Sequence, residues 1–290
     1  MAFNQTGRLP AAAEAIHQTL LGAPGKRLKA ESLISRLRPG LPATRETPVV
    51  TTLNELRAVG AVVERDEALT IRDDVPGGLE PGGMRRVVLQ SIIEDASSRD
   101  FWEDEEGEVG LLGGIDVARS LTWFLTLSVK DAPWSWDGPH AIGQKQSDEL
   151  PIKVIRNPTR WNQFLRWAPY LGFAFPFGAN ALIPDPSIAV RPVMAELLRG
   201  KGPQSVEAVV RALGERLPML DTGSWRAQLA ERHLANSDGD ISSSLSFALI
   251  RLRREGLIAL DEGLGDAGKV TFADEAGAYH AIRWVGGVIR

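Results

Sequence analysis

The chain has 290 residues, of which 43% are hydrophobic and 24% charged, and its formal net charge is −4. This length accommodates two or three domains, and the composition is that of an ordinary soluble globular protein. The absence of cysteine excludes disulfides, thiolate zinc sites, iron–sulfur clusters and cysteine nucleophiles. The first ten residues lack the apolar core of a signal peptide, and no apolar run approaches the ~20 residues that span a bilayer. We therefore expect a cytoplasmic protein that does not enter a membrane.

The charge is unevenly distributed along the chain. Residues 1–73 carry 10 basic and 8 acidic side chains, residues 74–186 carry 10 and 16, and residues 187–290 carry 13 and 13. A nucleic-acid binder usually has a clear basic excess, because phosphate neutralisation supplies much of its affinity. Any contact with double-stranded DNA must therefore come from local patches, or the chain binds protein instead.

The N-terminal segment predicts three helices followed by a β-hairpin. Apolar spacing indicates helices over 11–21, 30–38 and 49–59, and short apolar runs indicate strands over 62–65 and 69–71. This order is typical of a winged helix-turn-helix. The glycine- and proline-rich residues 73–83 predict a linker, so the first domain is expected to span residues 1–73.

The middle segment, residues 74–186, predicts a mostly helical domain. An amphipathic helix is expected over 84–96, and Pro158 is expected to begin another. Six of the eight tryptophans lie in this segment, and so much aromatic surface requires a core or an interface to bury it. We interpret the acidic run over 103–106 as a solvated loop.

The C-terminal segment, residues 187–290, predicts a second winged helix. Helices are expected over 190–199, 205–213, 225–234 and 242–255, with wing strands over 258–260 and 269–272. The tail from Ala276 is expected to pack back as a final helix or strand. The predicted fold class is thus mainly α (α+β), with two winged helices flanking a helical, Trp-rich middle domain.

Both winged-helix segments contain the pattern Leu-x-x-Leu-Arg-x-x-Gly followed by apolar residues. It starts at Leu53 and again at Leu249, an offset of 196 residues. Leucines three apart share one helix face. The glycines, Gly60 and Gly256, suit a helix C-cap because glycine adopts the left-handed conformation without a Cβ penalty. The pattern predicts, twice, a buried helix that passes directly into a hairpin.

On the first of these helices, Thr, Asn and Arg side chains could reach phosphates and base edges from the major groove. The candidates for DNA contact are Arg45, Thr47, Thr51, Asn54 and Arg57. A solvated helix face with Thr47 as its N-cap explains the same residues.

On the second helix, Ser243 and Arg253 are the candidates for DNA contact, because hydroxyl groups at a helix N-terminus suit phosphate. Acidic residues surround this copy of the pattern. They favour a scaffolding or protein-binding role for it.

An aromatic stretch over 158–177 has two interpretations. Its members Arg160, Trp161, Phe164 and Trp167 have the composition of a docking surface for a protein partner. The same spacing fits a helix packed in the core, which is the preferred interpretation. Elsewhere the four histidines are isolated, and there is no P-loop or nucleophile elbow. We therefore expect no catalytic residue, no metal site and no cofactor.

The residues from Arg160 to Phe173 form the series Arg-Trp-x-x-Phe-x-x-Trp-x-x-Tyr-Leu-Gly-Phe between the two winged helices. This layout resembles the DpdG family, which comprises accessory proteins of bacterial gene clusters that place 7-deazaguanine derivatives in DNA and restrict unmodified DNA. The resemblance implies a non-enzymatic component of a phage-defence complex that works with helicase or nuclease partners. It transfers no functional residue to a particular position.

The leading hypothesis is a non-catalytic, DNA-associated adaptor whose N-terminal winged helix contacts DNA. One alternative is a tandem winged-helix scaffold that binds only proteins, like the accessory subunits of SMC complexes. Another is a winged-helix transcription regulator, which would have to self-associate to bind a palindromic site.

Overall fold

Helices and small antiparallel sheets alternate along the chain. A computed structural model describes residues 10–40, 47–101, 114–136, 155, 158–230, 239–263, 268–274 and 276–286. These residues form ten α-helices and four antiparallel sheets, which confirms a mixed helical and β fold. They divide into two units, Met1–Ala118 with Arg156–Leu171 and Arg119–Ile155 with Gly172–Arg290. The three domains with boundaries at residues 73 and 186 stay a prediction.

The first unit begins with the predicted three helices and hairpin. Its elements are α1 (Pro10–Leu21), β1 (Arg27–Leu28), α2 (Ala30–Leu37), α3 (Pro48–Ala58), β2 (Val62–Arg65) and β3 (Ala68–Ile71). The strands pair antiparallel in the order β1-β3-β2. Strand β1 was not predicted, because two residues are too few to show an alternating pattern. We call these elements the N-terminal repeat.

The shared Leu-x-x-Leu-Arg-x-x-Gly pattern has the conformation that the sequence predicts. Leu53 and Leu56 are buried, and Gly60 has a φ of 74°. The Gly60 amide donates to the Arg57 carbonyl and the Ala61 amide to the Leu56 carbonyl. These two bonds form a Schellman motif, which ends α3 and turns the chain into β2.

The residues between β3 and the next helix are a correction to the sequence analysis, because they pack against the protein and do not form a free linker. Val75 and Gly78 are buried. The Gly78 carbonyl accepts a hydrogen bond of 2.7 Å from Nε2 of the buried His17. A Cβ on Gly83 would lie 2.3 Å from the Gly77 carbonyl oxygen, so only glycine fits there.

Three helices follow: α4 (Met84–Ser97), α5 (Gly114–Phe124) and α6 (Pro158–Leu171). The first and the last confirm predicted helices. The middle segment also contains a sheet that was not predicted, formed by β4 (Trp134–Ser135), β5 (Ala174–Phe177) and β6 (Ala181–Pro184) in the order β4-β6-β5. The acidic run over 103–106 lies outside the described residues.

The second unit ends with a larger version of the N-terminal repeat. Its elements are α7 (Ser187–Leu198), β7 (Gln204–Ser205), α8 (Val206–Arg216), α9 (Ser224–Ala230), α10 (Ser243–Arg254), β8 (Ile258–Asp261), β9 (Val270–Thr271), β10 (Ala278–Tyr279) and β11 (Ala281–Trp284). The predicted helices over 190–199, 205–213 and 242–255 and the strand after Gly256 are confirmed. The helix expected over 225–234 is confirmed up to Ala230, and residues 231–234 lie outside the described residues. The sheet order β7-β11-β8 matches β1-β3-β2. We call these elements the C-terminal repeat.

The predicted partner of β8 was wrong. Residues 269–272 were expected to pair with it, but β8 pairs with β11, so that Ile258 lies opposite Trp284. Strand β9 pairs instead with β10, and Phe272 forms a bridge with Ile241 just before α10. The long connection between β8 and β11 thus folds into a hairpin of its own. The tail confirms the expectation of a final strand.

Within the described residues, no helix is both long enough and apolar enough to cross a bilayer.

Candidate nucleic-acid and partner surfaces

Helix α3 exposes only part of the surface that the sequence assigns to DNA. Thr47 is its N-cap, and its hydroxyl accepts a hydrogen bond from the Val50 amide. Thr51 and Thr52 are buried. Asn54 and Arg57 are exposed. A stripe of one amide and one guanidinium is therefore accessible, and the N-cap interpretation of Thr47 is confirmed. Arg45 lies outside the described residues.

Arg57 already has an anionic partner. Its guanidinium lies 2.6 Å from the carboxylate of Glu64 on β2, and both side chains are about half exposed, at 42% and 50%. Exposed pairs of this kind contribute little to stability, typically ~0–1 kcal/mol. The pair can therefore open at small cost when a phosphate approaches Arg57.

The tip of the β2–β3 hairpin is acidic. Asp66 and Glu67 form a two-residue turn in which both residues have positive φ, 51° and 58°. Arg27 lies 3.6 Å from Asp66 and Lys29 lies 3.4 Å from Glu67. The tip therefore offers no net positive charge to a polyanion.

The serine run at the start of α10 is used within the protein, and this is a correction for Ser243. Its hydroxyl donates to the Asp274 carboxylate and accepts from the Val129 amide at 2.8 Å. Ser244 donates to the Leu125 carbonyl at 2.7 Å, and Ser246 accepts from the Ala273 amide at 2.9 Å. These side chains are buried, so Ser243 cannot bind a phosphate in this conformation and we do not retain it as a DNA contact.

Arg253, at the position equivalent to Arg57, is held by an aromatic ring. Its Nη1 donates to the Tyr279 hydroxyl at 2.9 Å, and its guanidinium carbon lies 5.5 Å from the ring centroid. Cation–π contacts of this kind contribute ~0.5–1 kcal/mol at exposed sites. Arg253 thus fastens α10 to β10, which is a structural role.

The aromatic residues of α6 are core residues, as the preferred interpretation holds. Trp161, Phe164 and Trp167 are only 4%, 2% and 2% exposed. Arg160 lies 3.3 Å from Asp116, and its side chain is 10% exposed. Since buried rings offer no surface to a partner, we correct the docking assignment of these four residues.

A hydrogen bond at the other end of α6 ties this helix to α1. The Tyr170 hydroxyl donates to the Glu14 carboxylate at 2.7 Å. Burial, together with this bond to an anion, raises the pKa of Tyr170. The phenol therefore stays protonated and keeps the bond at physiological pH.

Among the described residues, the most exposed aromatic pair is Phe175 and Phe177 on β5, which are 48% and 53% exposed and were not predicted to be exposed. They belong to the stretch interpreted as core. The available signal was the two-residue spacing of phenylalanines around Pro176, which in a strand places both rings on one face.

The comparisons with known proteins give a family and no closer relative. A family model described as DpdG-like matches residues 1–264. No curated protein and no solved structure matches the chain. The family associates the chain with the Dpd system of 7-deazaguanine DNA modification. The match covers most of the sequence, including both repeats up to strand β8, and we conclude that the chain belongs to the DpdG-like family.

Proposed function

We propose that this chain is a non-catalytic, DNA-associated adaptor of the 7-deazaguanine DNA-modification system. In this proposal both repeats are winged helices, and the N-terminal one contacts double-stranded DNA. The shared strand order of the two three-stranded sheets, and the glycine-capped helix that precedes a strand in each repeat, support the first part, because a winged helix combines its third helix with a small sheet in this way. The absence of nucleophile, P-loop and metal-spacing motifs from the sequence supports a non-catalytic role.

The accessibility of the third helix carries the assignment of DNA contact to the N-terminal repeat. A helix that enters the major groove must present polar side chains from a free face. Asn54 and Arg57 are exposed on α3. The start of α10 is instead covered by residues 125–129 and 273–274, with which its serines bond.

Local charge predicts a modest affinity. Arg57 must exchange Glu64 for a phosphate, and Asp66 and Glu67 repel the backbone from the hairpin side. The proposal therefore predicts weak to moderate binding, since few phosphates are neutralised, and an affinity that falls with salt by a slope of about 0.9 for each phosphate contact.

The test is the binding of the purified chain to a generic DNA duplex across a salt series. Arg45→Ala with Arg57→Ala should weaken binding and make the salt slope shallower by ~0.9 for each phosphate contact removed. Glu64→Gln should strengthen binding, because it frees Arg57 from its anion. Arg253→Ala is the matched control and should leave DNA binding unchanged. Equal binding by the Arg45/Arg57 variant and the unmodified chain would refute the assignment.

The acidic hairpin tip and the net charge of −4 favour a second candidate, a scaffold whose winged helices bind only proteins. This candidate predicts no duplex binding even at low salt. The same salt series therefore separates the two functions.

A further inference from the structure

The sheet β4-β6-β5 has one covered face and one open face. Cross-strand pairs share a face, and successive residues of a strand alternate between faces. Trp134 lies opposite Leu182, and Ala174 lies opposite Pro184; these residues are buried, whereas Pro176, which also pairs with Leu182, is exposed. The other face presents two pairs, Phe175 opposite Ile183 and Phe177 opposite Ala181.

The open face carries no charge; its positions on β5 and β6 are apolar, and Ser135 of β4, opposite Ala181, is polar. Phe175 and Phe177 are about half exposed, more than any other phenylalanine among the described residues. Residues 172–184 contain no charged side chain. A nucleic acid or an anionic lipid surface finds no cation there to pair with its phosphates. The complementary surface is therefore uncharged and apolar, as in the core of a protein–protein interface.

The backbone of β5 limits how a partner can approach. This strand is the outer strand of its sheet, and Pro176 in its middle has no N–H to donate. Proline in an outer strand disfavours the addition of another strand. A partner must therefore contact the two phenylalanine side chains on the open face and cannot pair with the backbone of β5.

The size of the face distinguishes between occupants. A phenylalanine buries ~150–250 Å², so two half-exposed rings offer about 200 Å² together. A second copy of the chain would need about 800 Å² per partner for a stable dimer. A face of this size instead suits one amphipathic helix, which binds through a few apolar side chains along one stripe. Outer strands ~10 Å apart match the ~10 Å width of one α-helix.

From these observations we infer that the open face of β4-β6-β5, through Phe175 and Phe177, docks the apolar stripe of an α-helix of another protein of the modification system. The choice of that protein rests on the proposed adaptor role; the surface and its chemistry do not.

The test measures binding of the full chain to each other protein of the 7-deazaguanine modification system, purified individually. The double variant Phe175→Ser with Phe177→Ser should bind one of these proteins at least about tenfold more weakly than the unmodified chain. The matched control is Phe247→Ser on α10, a phenylalanine with 37% exposure, which should bind as the unmodified chain does. Both variants should stay folded with a small drop in melting temperature, since the replaced rings are only partly buried.

A cross-linking experiment tests the helix directly and does not depend on a folded serine variant. Phe177→p-benzoylphenylalanine should cross-link, on illumination, to partner residues that recur at three- and four-residue spacing. Cross-links to an extended segment would overturn the helix assignment.

Several results would overturn the inference as a whole. The first is that no protein of the system binds the unmodified chain. The second is that the double variant binds as well as the unmodified chain, and the third is that Phe247→Ser weakens binding as much as the double variant does. A dimer that the double variant converts to a monomer would assign the face to a second copy. Loss of duplex binding in the double variant would assign it to nucleic acid. Loss of DNA binding by the Arg45/Arg57 variant bears only on the proposed function, so the two failures are distinguishable.

Discussion

The N-terminal and C-terminal repeats have the same strand order and the same helix cap, but the two capped helices, α3 and α10, present different side chains to solvent. At the shared offset of 196 residues, the exposed Asn54 of α3 corresponds to the half-buried Ile250 of α10, and the buried Thr51 to the exposed Phe247. The leucine face and the glycine are common to both because they determine the backbone. The solvent-facing stripe is under no such constraint, and the two repeats differ there.

The starts of these helices differ as much as their stripes. Helix α3 begins with a threonine N-cap and a proline, whereas α10 begins with serines that bond to residues around 125–129 and 273–274. The cap of α10 is thereby part of a buried polar network. Duplication of a fold therefore does not duplicate its accessible surface.

The largest effect should come from removing an equivalent core leucine from each repeat. Leu56 and Leu252 are both fully buried. Leu56→Ala and Leu252→Ala should each lower the free energy of unfolding by ~2–5 kcal/mol, through lost burial and the cavity that remains. Denaturant titration measures this, and a surface change such as Ser97→Ala is the control. A loss below 1 kcal/mol in only one repeat would break the structural equivalence.

Removing a buried serine hydroxyl that bonds only in the C-terminal repeat should have an intermediate effect on the free energy of unfolding. The Ser244 hydroxyl donates to the Leu125 carbonyl in a fully buried site. Ser244→Ala should lower the free energy of unfolding by ~1–3 kcal/mol, because the carbonyl loses its buried partner. Ser224→Ala, at an exposed position, is the control. An unchanged unfolding curve for Ser244→Ala would show that the network does not hold this helix.

Alanine in place of either glycine cap should lower the free energy of unfolding by the same amount, and by less than Ser244→Ala does. Gly60 and Gly256 have φ values of 74° and 70°, and a Cβ at either would meet nothing within 4 Å. Gly60→Ala and Gly256→Ala should therefore cost only the left-handed strain of ~1–2 kcal/mol each. Unequal costs, measured by thermal unfolding, would show that one of the two Schellman turns is not formed.

The smallest effect concerns an ion cluster that follows directly after the N-terminal repeat. Arg72 lies 2.5 Å from both Asp74 and Glu94. Its guanidinium lowers the pKa of Asp74 to about 2 and also lowers the pKa of Glu94. Because the folded-state pKa values are depressed, the stabilisation is present above pH ~4 and is lost as the pH falls towards 2.

The measurement is the melting temperature of the unmodified chain and of Arg72→Met between pH 6 and about 2.5. The difference between the two should shrink as the pH falls. A difference that is independent of pH would mean that Arg72 acts through packing alone.

Periodic apolar patterns predicted the helices and both glycine turns, because those features depend on residues close together in the sequence. The internal hydrogen bonds of Ser243 could not be predicted in this way, since its partners Val129 and Asp274 are distant in the sequence. The pairing of β8 with β11 across an inserted hairpin depends on similarly distant residues. The sequence alone could not decide whether Trp161, Phe164 and Trp167 lie in the core or on a docking surface, because core helices and docking helices have the same composition.

The packed residues between β3 and α4 determine how the protein can be divided for experiments. A fragment that stops at residue 73 would lose the carbonyl of Gly78, leaving the His17 ring without its acceptor, and would take both acidic partners from Arg72. Such a fragment would expose apolar surface and be prone to aggregation and proteolysis. A truncation should therefore extend at least through Ser97, at the end of α4, despite the glycine-rich sequence before it, and it would still lose the bond from Tyr170 on α6 to Glu14 on α1.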